Sequence, residues 1–259
     1  VMNIMGQMLS EGTKTKTKAQ FDELIDGMGA DLGLSSGGGN VSALSRYFKD
    51  AFMLMAEALK QPAFPQESFD KIKSQSLTGL KASDKSVKAI AARATNALMY
   101  GLDHPYGEFQ TEQSVNSITL ADVQSAYKNY ITPSRSYITF IGDIKPEEAK
   151  ALAEKAFGKW EGKKLELPKL AEVPNPAKTE IDLIDMPNAV QSEINVGNLI
   201  NLPLGNPDYF SVLLANQVLG GGSDGRLFLN LREKHGFTYG AYSDFDAGRY
   251  QTTFTASAA

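Results

Sequence analysis

The side chains that could do chemistry are few. The only histidines in the 259 residues are His104 in DHPYG and His235 in EKHGF. Neither stands three or four residues from a second histidine, the spacing that turns two imidazoles toward one metal on a helix. That excludes a His-rich metal site. The absence of cysteine excludes thiolate nucleophiles, Cys-ligated metals and disulfides. LGGGSDG at 219–225 could cradle an anion on bare backbone amides, but it lacks the Gly-Lys-Ser/Thr ending of a nucleotide-binding loop and reads as a turn between helices. No Ser/His/Asp triad is assigned. Glu147 and Glu148 follow Pro146 in a first helical turn, where carboxylates complement the helix dipole. The chain opens on VMNIMGQMLSEGT, whose Val1, Ile4, Met5, Met8 and Leu9 are apolar, while Asn3, Gly6, Gln7 and Ser10 run along another face of a helix.

The elements that must carry these residues alternate between helical and strand periods. Phe21, Leu24, Ile25 and Met28 mark an amphipathic helix with Gly29 at its stop, and SSGGGN at 35–40 marks a hairpin-like turn. NVSALSRYF reads as a strand. DAFMLMAEALKQP reads as a helix with Asp50 as N-cap and Pro62 beyond its end. Helices follow over 66–83, 86–101 and 119–131, then RSYITFIGD as a buried strand and 145–160 as a helix. EGKKLELPKLAEVPNPAK has three prolines and little periodicity, the composition of an extended linker. Beyond it TEIDLIDMP and AVQSEINVGNLIN read as strands, PDYFSVLLANQVLGGG and GRLFLNLREKHG as helices, and FTYGAYSDF and RYQTTFTAS as strands. The expected class is α+β, an antiparallel sheet flanked by helices. Lys and Arg number 26 against 30 Asp and Glu, net −4, and the basic residues are scattered, so no footprint for nucleic acid forms. No run approaches the roughly eighteen apolar residues of a membrane span.

GQMLSEGT, DHPYG, the stretch from ADVQSAYKNY to KAFGKW, and LGGGSDGRLFLNLREKHGFTYGAYS together resemble the pitrilysin/insulinase family of zinc peptidases, the inverzincins. Their order and spacing carry the likeness over nearly the whole chain. In that family the first helix carries H-x-x-E-H, two zinc-ligating histidines and a general-base glutamate, followed by an apolar stretch and Gly-Thr. Anchored on Gly12-Thr13, the motif falls here on Asn3, Gly6 and Gln7. Amides are poor zinc ligands beside imidazole, and glycine has no side chain to accept a proton from water. The family's third ligand, a glutamate in a later helix, has no counterpart in FDKIKSQSLTGLKAS; Asp70 and Asp84 are the acidic residues nearby.

The resemblance also implies an Arg and, seven residues on, a Tyr that hold the substrate backbone and the oxyanion over the metal; REKHGFTY places Arg232 and Tyr239 at that separation. A guanidinium binds carbonyl or carboxylate oxygen, and a phenol can donate to developing negative charge. The implied domains are 1–165, an inactive peptidase-type domain lacking its first strands, a linker at 166–178, and 179–259, the truncated start of a second copy. The expected function is the non-catalytic half of a zinc metallopeptidase, binding peptide and completing the site of a partner half that bears H-x-x-E-H and the zinc. No catalytic residue and no metal are expected in this chain. The alternative is a structural scaffold without proteolytic role, as in family members that serve as core subunits of a respiratory complex. Export, for instance to the periplasm, is the compartment the resemblance suggests.

Overall fold

The computed structural model describes residues 1–166 and 168–259; Leu167, inside the expected linker, lies outside the described residues. The elements in chain order are α1 (Met2–Met8), α2 (Lys18–Met28), β1 (Asp31–Ser35), β2 (Gly38–Ser42), α3 (Ser45–Lys60), α4 (Gln66–Ser83), α5 (Val87–Tyr100), α6 (Glu112–Ser117), α7 (Leu120–Tyr130), α8 (Pro146–Phe157), β3 (Ile194–Ile200), α9 (Tyr209–Leu219), α10 (Arg226–Phe228), β4 (Ala241–Phe245) and β5 (Thr252–Ala258). This is the α+β class read from the sequence. Two compact units result: Val1–Gly79 with Thr111–Leu167, and Leu80–Gln110 with Pro168–Ala259. The second unit therefore takes residues 80–110 as well as 168–259, which include most of the proline-rich stretch.

In the first unit local signals set the element ends. A capping box starts α2: the Thr17 N–H donates to Gln20 Oε1 (3.0 Å) while the Gln20 N–H donates to Thr17 Oγ1 (3.3 Å). Gly29 ends it at φ +56°, a left-handed conformation that glycine adopts without penalty. β1 and β2 pair antiparallel from Asp31↔Ser42 to Ser35↔Gly38, which leaves Ser36-Gly37 as a two-residue hairpin turn. Phe21, Leu54 and Ala58 are buried, and Ile25, Met28, Leu32 and Leu34 pack against them, so α2, the hairpin and α3 share one apolar cluster. Phe52 meets Phe48, Phe140 and Phe157 at centroid distances of 5.2–5.9 Å.

Polar groups staple this unit. Glu57 Oε1 accepts from the Thr13 and Thr15 hydroxyls (2.6 and 2.5 Å), and Oε2 accepts from Lys16 Nζ (2.7 Å), which clips the 13–16 turn onto α3. Partial burial opposes the charge of Glu57, but these hydrogen bonds prevail and hold its carboxyl below the ordinary range. Lys73 Nζ donates to the carbonyls of Asn116 and Ile118 at the end of α6, and Lys60 Nζ to that of Ala156 in α8. Tyr127 donates its hydroxyl to the Leu59 carbonyl (2.8 Å), and burial pushes the phenol up to about 12.

The second unit is built on the sheet order β3-β5-β4, antiparallel throughout, with Asn198↔Phe254 and Ser243↔Ala256 in register. α5 lies on β3, where Asn195 Nδ2 donates to Thr95 Oγ1 (3.3 Å). Gly197 permits the approach, since a Cβ there would meet Met99 Cε at 2.6 Å and the Phe254 carbonyl oxygen at 2.5 Å. The proline-rich stretch is docked rather than free. Asn175 brackets Leu199 through both its amide atoms (2.8 Å each), and Gln251 does the same for Val173 (2.9 Å each).

Several local expectations are corrected. RSYITFIGD forms no strand: Tyr137 and Ile141 are 96% and 94% exposed, and only Phe140 joins the aromatic cluster. TEIDLIDMP forms none either, with Ile181 and Leu183 exposed. Apolar alternation describes a strand's faces but supplies no neighbour for its N–H and C=O groups. Asp50 is no N-cap, because α3 already begins at Ser45 and brings Phe48 into the aromatic cluster. GRLFLNLREKHG is one α-helical turn, α10, followed by π-helix over Leu229–Lys234.

Candidate functional site

On α1, Asn3 and Gln7 are four residues apart on one exposed face, and Gln7 Nε2 donates to Asn3 Oδ1 at 2.5 Å. Two positions that face a common ion in the zinc motif are bonded to each other. Gly6 points the other way, into the unit: it is buried, and a Cβ on it would lie 2.5 Å from Ser36 N and 3.0 Å from the Ser35 carbonyl carbon. The hairpin turn occupies the volume a glutamate would need. Asp70 Oδ1 accepts from Gln66 Nε2 (2.9 Å), and Asp84 pairs with Arg93 (2.8 Å). Among the described residues no three His, Cys, Asp or Glu side chains gather as metal ligands. Amides in place of imidazoles and backbone in place of the base do not fit zinc.

Arg232 and Tyr239 are brought together, through different atoms than their types suggest. Arg232 sits in the π-helical turn, a rare, wide geometry that is frequent at functional sites. Its guanidinium lies 4.9 Å over the Phe228 ring, with Nε 3.6 Å from Glu233 Oε1, and Nη1 donates to the main-chain carbonyl of Tyr239 at 2.8 Å. The chain between them is held by Gly236 N–H to the Arg232 carbonyl and Phe237 N–H to the Leu231 carbonyl (2.9 Å each), and Gly236 turns at φ +65°. The Tyr239 side chain is thrown outward, 84% exposed, and its hydroxyl makes no hydrogen bond among the described residues. A cavity of about 570 Å³ opens beside this turn, lined by Arg226, Leu227, Leu229, Asn230, Leu231 and Lys234; neither Arg232 nor Tyr239 lines it.

The glycine run is a joint. Gly220 accepts the Ser243 N–H from β4 (2.9 Å), and a Cβ on it would meet Ser243 N at 2.6 Å. Next to it Asn216 Nδ2 donates to the Ser243 carbonyl (3.1 Å), and Ser243 Oγ donates to Asn216 Oδ1 (2.7 Å), a buried pair that ties α9 to β4. His104 Nδ1 accepts the Tyr106 N–H (3.1 Å) while its ring stacks on Tyr100, and His235 stacks on Phe237. Two stretches do spell G-x-S-x-G, around Ser35 and Ser223, and the sequence reading passed over both. Ser35 ends a hairpin strand and bonds Gly37 and Gly38, Ser223 lies in the glycine joint, and no histidine bonds either one among the described residues. Neither is a nucleophile elbow. The π-helix and the Phe228–Arg232 stack were also missed; the i, i+4 spacing of Phe and Arg was their only trace.

Helices over small antiparallel sheets are the arrangement of the peptidase-type domain that the sequence resembles. The family described as "Peptidase M16 inactive domain" matches residues 117–259, and the chain belongs to it. It is 24% identical over 251 residues to the "Uncharacterized zinc protease YmxG" of Bacillus subtilis, covering 94% of this chain and 59% of that one. It is 22% identical over 246 residues to the "Non-peptidase homolog YmxG" of Helicobacter pylori, covering 92% and 56%. The crystal structure of a peptidase M16 inactive domain from Pseudomonas fluorescens superposes with a TM-score of 0.87 at 28% identity, covering 99% of this chain and 63% of that one. The chain thus spans less than two thirds of each. No helix among the described residues is long and apolar enough to cross a membrane.

Proposed function

We propose that this domain is the non-catalytic half of a zinc metallopeptidase, closing over a half that carries H-x-x-E-H and the zinc, with extended peptide held between them. The observation that carries the reading is the Arg232–Tyr239 arrangement. Arg232 spends one N–H on the Tyr239 carbonyl, which presents the tyrosine hydroxyl to solvent with no hydrogen-bond partner among the described residues. A phenol offered in this way suits a peptide carbonyl that gains negative charge in the partner's site. The role of this chain is then to bind and orient; it supplies no metal and no base. Export of the assembly is part of the same proposal.

The test is Arg232→Ala combined with Tyr239→Phe in the reconstituted assembly. The double variant should cleave peptide about 10²-fold or more slowly, the order seen when an oxyanion donor is removed. Cleavage at the wild-type rate would overturn the reading.

A scaffold without proteolysis is the second reading. It is favoured by the same hydrogen bond seen as purely structural, since Arg232 fastens the 235–239 turn whether or not substrate exists. Single variants separate the two: a scaffold tolerates Tyr239→Phe and loses order with Arg232→Ala, whereas a substrate-binding half loses turnover with either.

A further inference from the structure

The amide pair on α1 leaves two atoms unused. Gln7 Nε2 donates to Asn3 Oδ1 at 2.5 Å, and among the described residues Asn3 Nδ2 and Gln7 Oε1 make no hydrogen bond. One is a donor and the other an acceptor, on exposed side chains four residues apart and therefore neighbours on one helical face. The platform beneath them is fixed. Ile4, Met5, Gly6 and Met8 are buried, and Gly6 lies so close to the Ser35–Ser36 backbone that no Cβ fits between. A polar pair seated on a rigid helix keeps its direction before any ligand arrives, which lowers the entropy cost of binding.

The ligand chemistry follows from the composition of the face. Met2–Met8 contains no charged residue, so the face has no counter-ion for a carboxylate, phosphate or ammonium. It contains no aromatic ring on which a base would stack. What it matches is a neutral group with one acceptor and one donor side by side. An extended polypeptide offers that at every second residue, where N–H and C=O point to the same side and pair with a neighbouring strand.

We propose that Asn3 and Gln7 bind the main chain of an extended peptide, Asn3 Nδ2 donating to the carbonyl and Gln7 Oε1 accepting the N–H of one residue. The proposal rests on the reading of this chain as a peptide-binding half, and it gives that half a second contact, within the first unit, that reads backbone rather than side chain. Peptides of unlike sequence are then held alike.

The test uses the full-length protein in its native assembly, with a chelator present so that the probe is not cut. The probes are a fluorescein-labelled peptide of Ser, Thr and Val and the same peptide with every backbone nitrogen methylated; fluorescence anisotropy gives the affinities. Asn3→Ala combined with Gln7→Ala should bind the unmethylated peptide about tenfold or more weakly, since two hydrogen bonds are lost. Its urea midpoint should not fall, because both side chains are exposed and alanine favours the helix. The wild type's preference for the unmethylated peptide should shrink about fivefold or more in the variant, a change that altered side-chain packing would not produce. Equal affinities of wild type and variant would overturn this proposal alone and leave Arg232 and Tyr239 as the contact. Weaker binding with the preference unchanged would overturn it too, since the amides would then act otherwise than on the peptide N–H. A wild type that binds neither peptide would overturn both the proposal and the reading beneath it.

Discussion

Gly6→Ala asks whether packing fixes glycine at position 6 of α1. At an open helical site alanine stabilises by about 0.8–1.0 kcal/mol over glycine. Gly79 of α4 is such a site, because a Cβ there would meet nothing within 4 Å. At Gly6 the added carbon would sit 2.5 Å from Ser36 N, roughly 1 Å inside the optimum for a heavy-atom contact. The obstacle is backbone at the tip of a hairpin paired from Asp31↔Ser42 to Ser35↔Gly38, so it cannot rotate aside as a side-chain end would. Overpacking of this kind costs about 1–3 kcal/mol. Helix propensity offsets part of it, which leaves Gly6→Ala destabilised by roughly 0–2 kcal/mol, or up to about 8 °C in Tm. Urea unfolding followed by circular dichroism reads the effect as a lower midpoint at unchanged slope, with Gly79→Ala as the control that moves the other way. A Gly6→Ala midpoint raised as far as that of Gly79→Ala would refute the reasoning.

Asn3→His, Gly6→Glu and Gln7→His together should take up no zinc by metal analysis, because the glutamate meets the Ser35–Ser36 backbone and no third ligand waits; one tightly held zinc would contradict this. Glu57→Gln should lower stability at neutral pH by about 1–2 kcal/mol through the loss of its charge-assisted bonds. The carboxyl of Glu57 lies lower folded than unfolded, so its contribution is complete above the ordinary value of 4.5 and is lost as pH falls through the folded value; the variant's urea midpoint should fall less in acid than that of the parent. Tyr127 lies higher folded than unfolded, so its contribution is complete below pH 10 and is lost as pH rises toward about 12. Tyr127→Phe should remove that part of the alkaline loss, and midpoints measured above pH 10 check it.

Where a signal is local, it was legible. Gly29 after Met28 and Pro146 ahead of Glu147 and Glu148 mark helix ends through near neighbours, and each end stands where its pattern places it. What depends on distant partners was not legible. The alternation in Tyr137–Ile141 names two faces, but no other strand arrives to pair with it. Residues 80–110 join the second unit through contacts such as Thr95 with Asn195, a hundred positions apart, and no periodicity reports that. At the candidate site the family spacing located Arg232 and Tyr239, yet the π-helical turn and the choice of the Tyr239 carbonyl over its hydroxyl come from three-dimensional packing around Phe228. On α1 the types at 3, 6 and 7 offer neither imidazole nor carboxylate where the resemblance puts the zinc motif. Only the structure shows that Ser36 has closed over Gly6.

The central claim is that this inactive domain works with a zinc-bearing half. Its most direct test is recovery of the native protein from its source cells with an antibody to this chain, followed by peptide mapping and quantification of everything recovered. The account predicts a stoichiometric H-x-x-E-H segment, on the same polypeptide or on one bound partner. An assembly that contains this chain and no such segment would contradict it and leave the scaffold reading in its place.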